Sequence, residues 1–128
     1  MNDGQNHETA AEANFAGRMA KLRARFASKL SVRIAEANGL LPRMTGCDRE
    51  AVDAVAAAYR AFHDICGIAP TIGFAATGQL ARQCDAILVE PFRDQHGLSE
   101  NELALLTEKI EALRIGALTE MQPPLDRS

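Results

Sequence analysis

The sequence has no Trp and one Tyr, and aromatic residues fill only 5% of its positions. That shortage argues against an all-β sandwich, and a core of Leu, Ile, Val, Ala, Met and five Phe suits helices better. Cysteine is scarce too. Cys47, Cys66 and Cys84 are an odd number without metal-type pairing, so reduced thiols and a cytoplasmic setting are expected rather than a disulfide framework. No run of about 18 apolar residues offers a membrane span, and the polar opening lacks a basic-then-apolar leader pattern. Also missing are Gly-x-Gly-x-x-Gly, a Gly-Lys-Ser/Thr phosphate loop, a Gly-x-Ser-x-Gly elbow and His-Glu-x-x-His, which removes the common nucleotide, hydrolase and metalloprotease sites. A net charge of −3 provides no strong field for nucleic acid or an anionic membrane. The expected partners are proteins or small molecules.

What remains is 128 residues, 47% hydrophobic and 24% charged, enough for one domain with one modest site. Charge is uneven: residues 1–50 carry 8 Lys/Arg against 6 Asp/Glu, and residues 51–128 carry 6 against 11. The spacing predicts a basic first helix over about Asn14–Asn38. Phe15, Met19, Leu22, Phe26, Leu30 and Ile34 form its apolar stripe, with Arg18, Lys21, Arg23, Arg25, Lys29 and Arg33 as a solvated face. Asn38 and Gly39 should stop it ahead of Pro42. A second helix starts at Asp48, able to accept from the free amides of the first turn. Its seam reads Val52, Val55, Tyr59, Phe62, Cys66 and Ala69. Pro70 and Gly73 mark a tight turn near Thr71–Gly73. A third helix, about Phe74–Val89, turns Thr77, Leu80, Ala81, Cys84, Ile87 and Leu88 inward and ends at Pro91, leaving Arg93–Leu98 as a loop. Ser99 and Glu102 read as a capping box for a fourth helix, in which Leu103, Leu106, Ile110, Leu113 and Ala117 repeat to about Met121. Together these predict an all-α, antiparallel up-and-down four-helix bundle over residues 13–121, between a flexible tail at 1–12 and a second at 122–128.

Of the three histidines, His7 falls in the expected tail and His96 in a polar loop, so both read as solvated residues. His63 follows Phe62 on the second helix, one step off the seam. Gly67 lies one turn further on. A helical glycine costs about 1 kcal/mol relative to alanine, so it has a reason to be there. Either it keeps the surface beside His63 open to a partner, or it lets a neighbouring helix pack closely.

The stretch His63-Asp-Ile-Cys-Gly-Ile-Ala-Pro-Thr-Ile-Gly73 resembles the histidine phosphotransfer (Hpt) signature His-x-Leu-Lys-Gly-Ser-Ala-x-x-Leu/Ile/Val-Gly. His63, Gly67, Ala69, Ile72 and Gly73 match, and Ile65 replaces leucine conservatively. The likeness continues through Phe74–Asp85 and, as a looser helical pattern, over about residues 15–118. The resemblance implies that His63 is a phosphoacceptor carrying a phosphoryl group between response-regulator receiver aspartates, or from a hybrid histidine kinase. The chain would act as a cytoplasmic monomer with no cofactor of its own, with Mg²⁺ held by the receiver. Imidazole has an ordinary pKa of about 6.5, which leaves one nitrogen lone pair free at neutral pH. An acceptor holding Nδ1–H would make Nε2 the attacking atom. The family places an imidazole-orienting residue at the position of Asp85, where the alternative is a solvated residue near a helix end. Arg82, one turn earlier, either pairs with Asp85 or reaches the phosphoryl oxygens.

The departures are specific. The family's phosphate-neutralising lysine is Cys66 here, leaving Arg82, Arg60 or the partner to supply the cation. Ile68 replaces the usual Ser, making an apolar docking patch with Tyr59 and nearby alanines, and Pro70 should kink the helix end. Three other readings stay open. One is a helical adaptor or inhibitor of a kinase or receiver in which His63 is never phosphorylated. Another is a kinase-type dimerisation domain, to which Phe62-His63-Asp64 is similar, although the proline falls later after the histidine than that family places it. The third pairs Cys66 with His63 as an enzymic nucleophile, against a plain core role for Cys66.

Overall fold

The computed structural model describes residues 3–122, with side chains from residue 10 onward. Among them the chain is all helical: α1 (Asp3–Leu40), α2 (Arg49–Ile68), α3 (Ala75–Asp94) and α4 (Glu100–Met121), with short 3₁₀ turns at Leu41–Arg43 and Ala69–Ile72. No strand forms among the described residues, and the one bridge pairing, Thr45 with Leu98, ties two loops together. α2 packs against α3, α3 against α4, and α1 against both α2 and α4, giving a helical bundle. Its core includes Leu30, Ile34, Val55, Phe62, Ile65, Leu88, Leu106, Ile110 and Leu113.

Helix starts follow local chemistry. The Asp48 side chain accepts from the Ala51 amide at 3.1 Å. At α4, Ser99 and Glu102 each accept from the other's backbone amide at 3.1 and 2.8 Å, the reciprocal box expected from their spacing. Gly73 takes φ 90°, the left-handed conformation that closes the turn before α3. Arg23 on α1 secures that turn from outside by donating to the Ile72 carbonyl at 3.0 Å.

Several expected boundaries are corrected. α1 begins at Asp3, so residues 3–12, expected as a tail, are part of the helix; alanines such as Ala10 and Ala11 favour a helix even where no apolar stripe marks one. Residues 123–128, most of the second expected tail, lie outside the described residues. Asn38 and Gly39 do not stop α1. It runs to Leu40 and tightens into the 3₁₀ turn, where Pro42 occupies an early position that needs no amide. Nor does Pro91 end α3. It is buried in the last turns, and the chain closes beyond it through Gln95 in the left-handed conformation and the His96 amide on the Pro91 carbonyl at 3.1 Å. The buried face of α2 is rotated from the expected seam. It carries Ala51, Ala54, Val55, Ala58, Phe62 and Ile65, while Val52, Tyr59 and Cys66 are half-buried on its flank. The alanines explain the rotation, because small side chains let a neighbouring backbone approach.

One contact closes the bundle end near the turn. Phe74 stands at the N-cap of α3 and has no side-chain acceptor to offer. Glu120 on α4 takes over, accepting from the Ala76 amide at 3.1 Å and from the amide and hydroxyl of Thr77. Thr77 is the buried polar residue of this region, so its hydroxyl depends on that carboxylate. Glu120→Ala will therefore lower stability by about 1–2 kcal/mol, the cost of a lost helix cap, in a urea titration with unchanged slope.

Candidate functional site

The pairing of α2 with α3 places His63 opposite Asp85. The His63 ring is 62% exposed, whereas the Asp85 side chain is 20% exposed, and Nδ1 lies 3.5 Å from Asp85 Oδ1. That is the outer limit of a hydrogen bond. The oxygen is buried and has no hydrogen-bond partner among the described groups. Asp85 is thus not the solvated helix-end residue of the alternative reading, because α3 carries on for more than two turns beyond it. Helical spacing alone does not show which α3 residue meets His63; in the structure it is Asp85, the position expected to face the imidazole.

The imidazole is held on its other side by stacked rings. Tyr59, one turn back on α2, stacks on His63 with centroids 5.5 Å apart and on Phe92 of α3 at 4.3 Å. The Arg60 guanidinium lies over the Phe92 ring, 5.9 Å from its centroid. Sequence spacing allowed Tyr59 to reach His63, since the two are four apart on a helix. Phe92 was placed only by the correction that carries α3 past Pro91.

Gly67 is exposed, and a Cβ built on it meets nothing within 4 Å. The close-packing explanation for this glycine is therefore overturned, and an open surface one turn from His63 is what remains. Ile68 beside it is 50% exposed, while Tyr59, expected to be exposed with it, is half-buried under the histidine. On the α1 side, Arg33 pairs with Asp64 at 3.3 Å, so Arg33 and Arg23 are not part of a purely solvated face.

Cys66 sits one turn from His63, half-buried beside Asp85, rather than within the core. Its Sγ donates to the His63 carbonyl at 3.2 Å. Burial pushes the thiol pKa up, the Asp85 charge adds to this, and Arg82 opposes it. A thiol held protonated on its own helix carbonyl is a poor nucleophile, which counts against the enzymic Cys66–His63 reading. Cys84 is buried, and its pKa is pushed up to about 12 by desolvation. Arg82 is exposed and forms no ion pair with Asp85 among the described contacts, so its charge stays available at the mouth of the site. His96 is exposed in the loop with Nδ1 2.7 Å from the Gly97 carbonyl, and the side chain of His7 lies outside the described residues.

Comparison with family models, curated proteins and solved structures gives no match. The site is therefore read from its own geometry. It holds an exposed imidazole with one nitrogen against a buried carboxylate, a flat glycine-lined approach, and no helix long and apolar enough to cross a membrane among the described residues.

Proposed function

We propose that this protein is a histidine phosphotransfer carrier in a two-component phosphorelay, with His63 as phosphoacceptor, built on an antiparallel four-helix bundle and acting as a cytoplasmic monomer. The observation that carries this reading is the approach of Nδ1 of a well-exposed His63 to the buried Oδ1 of Asp85. With Nδ1–H turned to the carboxylate, Nε2 keeps its lone pair toward solvent. Nε2 attacks the phosphorus of an aspartyl phosphate on a receiver domain, or of the phosphodonor domain of a hybrid kinase. The bond from phosphorus to the donor oxygen breaks, and the donor carboxylate leaves. The resulting imidazolium retains its Nδ1 proton, and Asp85 offsets the positive charge. Positioning and cations do most of the work in such a transfer, and Mg²⁺ of the receiver together with Arg82 supplies them here. Support for the topology comes from the order of contacts, since His63 and Tyr59 meet Asp85 and Phe92 in reverse sequence along α3.

The test is the intact mass of the protein after incubation with a small phosphoramidate or a phosphorylated receiver. An acid-labile single phosphoryl adduct, absent in His63→Gln, supports the carrier. No adduct from the small donor and from several receivers overturns it in favour of a binding-only adaptor. That alternative draws on the loss of the family lysine to Cys66.

Gly67 gives an independent prediction. Because an added Cβ meets open space, Gly67→Ala will raise stability by about 0.5–1 kcal/mol. The same methyl group stands where a receiver would dock, so transfer from a phosphorylated receiver will fall about tenfold, equivalent to roughly 1.4 kcal/mol of lost contact. Uptake from the small donor will not change. A variant with equal rates from both donors would place the docking surface elsewhere.

A further inference from the structure

Phosphoryl transfer uses His63 and Asp85 but gives no role to Cys66, which lies beside both. One ligand atom from each of His63, Cys66 and Asp85 lies within 4.8 Å of the other two. Two of these residues are three apart on α2 and the third faces them from α3, so the cluster bridges two helices. We propose that His63 Nδ1, Cys66 Sγ and Asp85 bind one Zn²⁺ ion, and that the bound ion blocks phosphorylation of His63. The metal site stands on the geometry alone, and only the blocking step rests on the phosphocarrier reading.

Donor type, spacing and an unmet acceptor agree. Zinc bonds of about 2.0–2.3 Å in a tetrahedral arrangement put neighbouring ligand atoms roughly 3.3–3.8 Å apart. The His63–Asp85 separation of 3.5 Å already falls in that range. A contraction of at most about 1.5 Å completes the set, and it requires the Cys66 side chain to give up its contact with the His63 carbonyl. Asp85 Oδ1 is buried with no hydrogen-bond partner among the described groups, so an acceptor already points into the cluster. Arg82 is the cation that acts on the thiol, and Asp64 acts on it with Asp85 in the opposite sense.

The donors also select the ion. Thiolate and imidazole favour zinc over Mg²⁺ or Ca²⁺, which prefer all-oxygen shells. Mg²⁺ needed by a receiver would therefore leave this site alone. Three protein ligands leave a fourth position on the exposed side of His63, open to water or a small anion. Binding exchanges waters of the aquo ion for the three side chains and releases the Cys66 thiol proton to solvent. A neutral imidazole that ligates through Nδ1 carries its proton on Nε2, so the nitrogen that would attack phosphorus has no lone pair. Metal and phosphoryl group thereby exclude each other at one histidine, and Cys66, where the family signature has lysine, makes this possible.

The test uses the full chain, freed of metal by a chelator and then titrated with Co²⁺ as a spectroscopic probe and with Zn²⁺ against a chelating dye. Expected are one metal per chain, a thiolate-to-cobalt charge-transfer band, and a rise in unfolding temperature with Zn²⁺. Outer-sphere partners of a metal are worth 10–100-fold in affinity, so losing a direct ligand in Cys66→Ser, Asp85→Asn or His63→Gln will weaken binding at least about tenfold. Cys47→Ser, a change away from the cluster, will bind as the parent does. No charge-transfer band, or one that survives in Cys66→Ser, overturns the site. In the second arm, phosphoramidate labelling of metal-free protein is compared with that of zinc-loaded protein. Labelling only when metal-free supports exclusion, and equal labelling of both overturns it. Metal binding without labelling of either form leaves the zinc site standing, overturns the blocking role and refutes the phosphocarrier reading.

Discussion

His63→Gln will accept no phosphoryl group and yet unfold within about 0.5 kcal/mol of the parent, the range of ordinary surface changes. The imidazole is well exposed, and its contacts are one stacked ring and one long approach to a carboxylate, so little of the fold depends on it. Glutamine keeps a polar side chain on the same helix turn but offers no nitrogen lone pair of comparable nucleophilicity. Asp85→Asn separates the orienting role from the nucleophile. The amide oxygen can still accept from Nδ1–H, but the negative charge that offsets the phosphoimidazolium is gone, and transfer will fall about 10–100-fold, as for other partners that orient a reactive imidazole. Stability will not fall with it. Removing the charge from a buried oxygen whose only nearby donor is His63 Nδ1 at 3.5 Å relieves a desolvation cost, so Asp85→Asn will be neutral or stabilising by up to about 1 kcal/mol. Activity lost while stability is kept or gained marks a group retained for chemistry. Rate measurements with a small donor, paired with urea midpoints for each variant, check both statements. A variant of Asp85 that loses stability and rate in proportion would make the residue a packing element instead.

The parts of this structure legible in the sequence are those set within one turn of chain. Asp48 and the Ser99–Glu102 box cap their helices because their acceptors reach amides three residues away along the chain, and Gly73 turns left-handed because the next residues must reverse. Apolar spacing located all four helices for the same reason. Helix ends were harder wherever packing outweighed local preference. Pro91 was read as a stop, but a proline in the last turns deprives only one carbonyl of its partner, and burial of its ring keeps the helix going. Gly39 was read as a cap, yet nothing required a left-handed residue there. The contacts that finish the molecule join distant positions: Glu120 on the α3 amides, Arg23 on the Ile72 carbonyl, Phe92 under Tyr59. No spacing rule reaches across 20 to 50 residues, and these were missed. In the site, His63 and Gly67 were singled out from helix position, while Asp85 needed the family resemblance to select it. Cys66 was assigned to the core because the seam was drawn one step too far round α2. The alanine face of that helix moves the thiol out beside His63 and Asp85.

Phe62→Ala will have the largest effect on the fold, although Phe62 is the immediate neighbour of the proposed phosphoacceptor His63. Successive helical residues are turned about 100° from one another, so α2 presents Phe62 to the core and His63 to solvent from the same turn. Phe62 is 0% exposed and belongs to the cluster that holds Val55, Ile65, Leu88, Leu106 and Ile110. Truncating a buried Phe to Ala costs about 3–5 kcal/mol, from lost burial and from the cavity left behind. Small domains are stable by only about 5–15 kcal/mol in all, so the variant will approach marginal stability. At roughly 3–5 °C per kcal/mol for a chain of this size, the unfolding temperature will drop by about 10–20 °C. Phe62→Leu fills most of that space and will lose much less, about 1–1.5 kcal/mol. Phosphoryl uptake should then separate the two kinds of damage. At low temperature, where the Phe62 variants remain folded, labelling per folded molecule will match the parent because His63 and Asp85 keep their places on α2 and α3. On warming, labelling will fall in step with the folded fraction measured by circular dichroism. If Phe62→Leu instead loses labelling while still folded, the distance between Nδ1 and the Asp85 carboxylate is set by core packing beneath the histidine, and Phe62 becomes a positioning residue as well as a structural one.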